Sequence, residues 1–147
     1  MAQTPVASRF DFTSREPYLA PSPRLRPRVV TISALLFAPD DAAPHQALTE
    51  WLARQADQVI RVRDSDELMA LSLRGRPRVV AFDARRSPTI VEAACARLKR
   101  DSYTGVVPAA MLAGDSDAAF AAAFEAGADE VLREGMGGAE LVTRLDA

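Results

Sequence analysis

From Val29 onward, short apolar runs alternate with longer amphipathic segments, and few folds can absorb that order. The runs are Val29-Val30-Thr31-Ile32 continuing through Ala34-Leu35-Leu36-Phe37-Ala38, Gln58 to Val62, Val79 to Phe82, Val106 to Leu112, and Val131-Leu132. All but the second are apolar on both faces, as parallel strands covered by helices on each side must be. The second, Gln58-Val59-Ile60-Arg61-Val62, alternates and suits a sheet edge. Helical periodicity fills the intervals at about 43–55, 65–74, 88–100, 115–126 and from 138 onward. Asp64-Ser65 with Glu67 and Asp115-Ser116-Asp117 supply N-terminal caps. The expected class is α/β, a doubly wound five-stranded parallel sheet with the carboxyl ends of its strands gathered on one edge. Ligand chemistry in such sheets collects there.

Composition narrows the function classes. With 147 residues, 48% hydrophobic and 26% charged, one domain with one sizeable core is expected. A formal net charge of -2 provides no overall positive field, so neither nucleic acid nor an anionic membrane is an expected partner of this domain. One cysteine, Cys95, and one histidine, His45, make neither an internal disulfide nor a His/Cys zinc site, which leaves carboxylates as metal ligands. With no apolar run of signal-peptide or membrane-span length, the expected location is the cytoplasm.

Residues 1–27 carry Pro5, Pro17, Pro21, Pro23 and Pro27 without periodicity and read as an extended or disordered leader to a domain at 28–147. Arg9, Arg15, Arg24 and Arg26, with Arg28 just beyond, outnumber Asp11 and Glu16. An acidic surface could therefore receive the leader, with Phe10, Phe12 and Tyr18 as anchors, although a solvated leader is the simpler expectation. Arg-Pro-Arg-Val-Val occurs at 26–30 and 76–80 as two similar strand entries. The last helical pattern stops at Ala147 without a terminator, as for the front part of a longer chain or a short final helix.

The chemistry-bearing candidates lie at the carboxyl edge. Asp83 ends the third strand, while Asp40 and Asp41 follow the first, and together they read as a hard-cation pocket for Mg²⁺ with a carboxylate able to accept a phosphoryl group. Taken singly, each is also a plausible helix or turn cap. Arg85 and Arg86 border that pocket and are expected to neutralise it. His45 reads as a surface residue, Cys95 as packing, Trp51 as core, and Gly135, Gly137 and Gly138 as a turn.

Across about residues 29–147 the chain resembles the response-regulator receiver domain of bacterial two-component signalling. The resemblance rests on Asp40-Asp41, on Asp83, on Arg97-Leu98-Lys99-Arg100-Asp101 before the fourth strand, and on Glu125-Ala126-Gly127-Ala128-Asp129-Glu130 before the fifth. It implies a flavodoxin-like three-layer sandwich, Asp83 as phospho-acceptor, and Asp40 and Asp41 as Mg²⁺ ligands. A histidine kinase or another signalling protein is the implied partner, with a homodimer through the fourth helix, fifth strand and fifth helix. In longer relatives a diguanylate cyclase or a DNA-binding domain follows.

The departures from the pattern are chemical. Where the family carries Ser or Thr at the end of the fourth strand, this chain has Leu112 or Ala113, and where it carries Lys and Pro after the fifth, this chain has Glu134 and Gly135. A carboxylate at the lysine position opposes a phosphoryl group bringing roughly −1.5 to −2 charges. Adjacent strand residues face opposite ways, so Arg133 and Glu134 cannot both face the pocket, and Arg133 could serve as the cation only in a register shifted by one. The expected function is therefore an atypical receiver, or pseudo-receiver, in phosphorelay signalling. This non-enzymatic module would regulate a partner or a C-terminal output domain by protein contact, and the alternative is a Mg²⁺-dependent receiver phosphorylated on Asp83. If the leader does not pack on the domain, deleting residues 1–25 leaves the melting temperature nearly unchanged in a thermal scan, and a large drop shows that it does.

Overall fold

The structure is a computed structural model that describes residues 31–147. The leader assigned to residues 1–27, and Val29-Val30 of the first apolar run, lie outside the described residues. The order is β1 (Ser33–Phe37), α1 (Gln46–Gln55), β2 (Gln58–Val62), α2 (Ser65–Gly75), β3 (Val80–Asp83), α3 (Pro88–Arg100), a 3₁₀ turn (Thr104–Val106), β4 (Ala109–Ala113), α4 (Asp117–Glu125), β5 (Glu130–Arg133) and α5 (Gly138–Asp146). All strand pairs are parallel, and the sheet order is β2-β1-β3-β4-β5. This is the doubly wound, flavodoxin-like α/β sandwich expected from the alternation, with the alternating strand β2 at one edge.

Side chains alternate along each strand, so the sheet feeds two cores. Leu35, Phe37, Val80, Phe82, Met111 and Val131 pack under α2, α3 and α4. Leu36, Ala81, Leu112 and Leu132 pack under α1 and α5, joined by Leu48, Trp51, Leu52 and Leu141. Trp51 is core as expected, and its indole N–H donates to Asp146 at 2.7 Å, tying α1 to α5.

Two boundaries move for identifiable reasons. The fourth strand begins at Ala109 instead of Val106, because Val106 lies in the 3₁₀ turn and is 73% exposed, and Pro108 precedes the strand. The first helix begins at Gln46, after Pro44 and an extended His45. Helices α2 and α4 start at caps, where Asp64 accepts from the Glu67 amide and Ser116 from the Ala119 amide.

Lys99, the chain's only lysine, closes the edge of the sheet opposite the strand carboxyl ends. Its ammonium donates to the Val107 carbonyl at 2.9 Å and to Asp129 at 2.8 Å, and the same Asp129 oxygen accepts from the Ala109 amide. The lysine stem leaves no room at Gly127, which turns the chain into β5 at φ +99°; a Cβ there would lie 3.1 Å from Cβ of Lys99. Steric crowding and the left-handed backbone act together. Gly127→Val is expected to cost about 2–4 kcal/mol, read as a marked fall in melting temperature; an unchanged value would show the turn to be misread.

Candidate functional site

Parity along β3 decides where Asp83 points. Ala81 faces the α1/α5 core, so Asp83, two residues on, projects to the same side above it, toward the N-terminus of α1. There the backbone N–H of His45, the residue before the helix, donates to its Oδ2 at 3.3 Å. His45 is thus half-buried with its amide in the site, a correction to its reading as a surface residue. Helix N-terminal amides have no intrahelical partner and favour an anion, a signal that Pro44-His45 ahead of an amphipathic run carries only weakly.

The dominant partner of Asp83 is Arg85. The guanidinium lies flat against the carboxylate, with Nε to Oδ1 at 2.9 Å and one terminal nitrogen to Oδ2 at 2.8 Å, and the Arg85 amide adds a contact to Oδ1 at 3.3 Å. Both side chains are nearly enclosed, 7% exposed for Asp83 and 12% for Arg85. Burial alone raises the Asp83 pKa, but the Arg85 hydrogen bonds and charge, with the Arg85 and His45 amides, more than offset it and hold the carboxyl below its ordinary value. Reciprocally, the Asp83 hydrogen bond holds the Arg85 pKa above its usual value, with smaller contributions from Glu134 and Asp40. The expectation that arginine neutralises this pocket describes Arg85; among the described residues no ion pair places Arg86 in it.

Glu134 faces the pocket and Arg133 does not. Glu134 extends the ladder through its amide to the Ala113 carbonyl at 2.9 Å, and its carboxylate lies 3.9 Å from the far nitrogen of Arg85. Arg133 turns the other way, stacking over the Phe120 ring at 4.3 Å and bonding the Asp115 carbonyl and Asp117. The shifted register that would make Arg133 the pocket cation is therefore not adopted. At the end of β4, Leu112 pairs in register with Asp83, and Leu112 and Ala113 are both buried and apolar, so neither supplies a hydroxyl.

Asp40, Asp41 and Asp83 are not brought together as a cation site. Asp41 is fully exposed and pairs with Arg63 at 3.1 Å, while Asp40 accepts from the Ala42 amide at 2.9 Å in its own turn. Among the described residues no group of three His, Cys, Asp or Glu side chains converges on a common point. As arranged, the donor set does not fit a Mg²⁺ ion, because both Asp83 oxygens are committed to Arg85 and Asp41 is outside. What holds the loop after β1 in this shape is a pair of arginines that the sequence does not flag, Arg61 in β2 and Arg63 just after it. Arg61 donates to the carbonyls of Ala38, Asp40 and Ala42, and Arg63 donates to that of Asp40.

Cys95 is buried as expected, and burial pushes its thiol up to about 12, far from a reactive thiolate. No described helix is long and apolar enough to cross a membrane.

Solved structures share this architecture. A candidate response regulator of Chloroflexus aurantiacus J-10-fl aligns over 78% of this chain and 95% of its own, at 25% identity and a TM-score of 0.63. The signal receiver domain of a signal transduction histidine kinase from Syntrophus aciditrophicus aligns over 78% and 86% at 22% identity, with a TM-score of 0.61. That of a DNA-binding response regulator from Colwellia psychrerythraea 34H aligns over 78% and 95% at 18% identity, with a TM-score of 0.60. No family model matches the sequence, and no curated protein does. The chain has the receiver-domain fold of response regulators.

Removing the guanidinium leaves a buried carboxylate with its desolvation uncompensated. Arg85→Met is expected to cost about 2–3 kcal/mol at neutral pH. In the wild type the depressed Asp83 pKa gives stability that is present above the unfolded pKa and lost as pH falls through the folded one. In Arg85→Met the folded pKa lies above the unfolded one, so stability recovers on acidification through that range. Denaturation across acidic pH, with NMR titration of the Asp83 carboxyl, reads both effects; an unchanged profile would remove Arg85 from the site.

Proposed function

We propose that this protein is an atypical receiver, a pseudo-receiver, that passes signals by protein contact instead of by a phosphoryl group on Asp83. The observation that carries this reading is the two-pronged, nearly enclosed Arg85–Asp83 pair. The carboxylate that would attack a phosphodonor has both oxygens engaged, and the pocket's cation is an arginine of the chain itself. Glu134, at the position where the family carries lysine, lies beyond the guanidinium and repels an incoming phosphoryl group while holding Arg85. Leu112 and Ala113 add no hydroxyl to orient it.

The structural likeness to receiver domains supports a place in two-component signalling, with a histidine kinase or another signalling protein as the partner class. On this reading the module is non-enzymatic and acts in the cytoplasm on a partner or an attached output domain. A homodimer through α4, β5 and α5 is the less supported contact. Of the apolar residues on that face, Val131 and Leu141 are wholly buried, and Phe124, edge-on to Phe120, is 48% exposed.

Intact-mass spectrometry after incubation with a small-molecule phosphodonor, with and without Mg²⁺, tests the reading. The wild type is expected to gain no phosphate, and Arg85→Ala, which frees the carboxylate, to gain more than the wild type. A Mg²⁺-dependent adduct on the wild type that disappears in Asp83→Asn would establish the phospho-accepting receiver instead.

A further inference from the structure

The polar contacts of the buried Arg85–Asp83 pair lead to two helices. On one side the His45 amide, at the start of α1, donates to Asp83 at 3.3 Å. On the other, Arg85 faces Glu134 at 3.9 Å, and the chain runs on from Glu134 through Gly135, Met136 and Gly137 into α5. Among the described residues, no side-chain hydrogen bond or ion pair joins Asp83 or Arg85 to α4. Beside Asp83 the end of β4 presents Leu112 and Ala113, whose side chains carry no polar atom. Helix α4 is held from β5 instead, by Arg133 on the Asp115 carbonyl and on Asp117, and its leading loop by the Asp115 carboxylate on the Gly135 amide.

Helices α1 and α5 are also fastened to each other. Leu48, Trp51 and Leu52 of α1 share a core with Leu141 of α5. Near the N-terminal ends Gly138 brings α5 close to α1, since a Cβ there would already touch Cβ of Ala47 at 3.6 Å. Further along, the indole of Trp51, 6% exposed, donates at 2.7 Å to the carboxylate of Asp146 in the last turn of α5. A charge-assisted hydrogen bond is about twice as strong as a neutral one, and a buried indole N–H left without an acceptor is costly. These contacts close a ring that runs from Asp83 through α1, Trp51, Asp146, α5 and Glu134 to Arg85 and back.

We propose that α1 and α5 form one unit, latched to the carboxyl edge of the sheet by the Arg85–Asp83 pair, so that opening the pair is read at the Trp51–Asp146 contact and not at α4. The charge of Asp83 serves both holds at once, taking the His45 amide with one oxygen and the guanidinium with both. Removing that charge weakens the anion at the start of α1 and leaves Arg85 with Glu134 alone, while the backbone ladder from β3 to β4 stays as it is. The inference deepens the reading of this module as one that acts by protein contact, by naming the elements that carry the change. Its test uses no phosphodonor: a phosphate adduct on Asp83 would overturn that reading and leave this one standing, and uncoupled helices would do the reverse.

The probe is the full chain itself, because Trp51 is its only tryptophan and gives one indole N–H resonance. Asp83→Asn is expected to shift that resonance and to speed amide exchange of Thr49, Glu50, Trp51 and Leu52 about tenfold, with α2 unchanged. Glu134→Gln, at a half-exposed position that leaves the fold intact, is expected to act in the same direction and less strongly. Coupling is reciprocal, so Asp146→Ala, at the far end of α5, is expected to raise the titration midpoint of the Asp83 carboxyl. In the double variant Asp83→Asn/Asp146→Ala the effects on exchange fall short of their product by about fivefold. Effects that multiply independently would overturn the proposal. So would an indole resonance unmoved by both Asp83→Asn and Glu134→Gln, changes confined to α4, or faster exchange spread evenly over all the helices, which marks a general loss of stability.

Discussion

A parallel sheet buried on both faces leaves each strand residue a choice of two cores, and the period of two makes that choice for the whole strand at once. Packing Ala81 under α1 and α5 commits Asp83 to the same side, above the core and against the N-terminus of α1. Packing Leu132 there commits Glu134 to the pocket and sends Arg133 to the other face, over Phe120. The charges of the site are therefore set by hydrophobic burial in the strands beneath them, a term far larger than any single ion pair at the rim.

Within that frame the site has redistributed its charges. An acidic pocket with no internal cation would push the carboxyl groups toward their neutral forms. Here Arg85 enters from the residue next but one to Asp83 and holds it ionised, with Glu134 on the guanidinium's other flank. The positive charge comes from the loop after β3, while the residue after β5 is negative. Such a pair is self-contained: breaking it is costly, and leaving it intact keeps Asp83 ionised and hydrogen-bonded without a ligand. This is the physical basis for reading the module as one that responds to proteins rather than to phosphodonors.

Much of the fold was legible in the chain. The doubly apolar runs, the alternating Gln58–Val62 segment at the edge and the capped starts of α2 and α4 each follow from local pattern, and Cys95 and Trp51 are buried where their helical stripes place them. The boundary at Val106 was misread because valine in an apolar run says nothing of the 3₁₀ turn that Thr104 and Asp101 close. At the site, Asp83 at the end of its strand could be read from the pattern, whereas Glu134 and the hydroxyl-free end of β4 stand out only against the resemblance to receiver domains. The position of Asp40 and Asp41 relative to Asp83 could not be read, because Arg61 in β2 and Arg63 just after it hold the loop after β1 from across the sheet.

The sequence by itself determined the class of fold, the sheet edge at β2, and which residue types reach the carboxyl edge, since periodicity, caps and turn residues act within a few positions of one another. Only the tertiary structure decided that Arg85 grips Asp83 with two nitrogens, that the His45 amide completes the carboxylate's shell, and that Asp41 stands outside. Those outcomes depend on which elements meet across the sheet and on how much water remains between them, and hydrogen bonds and ion pairs take their direction and strength from those distances and that burial.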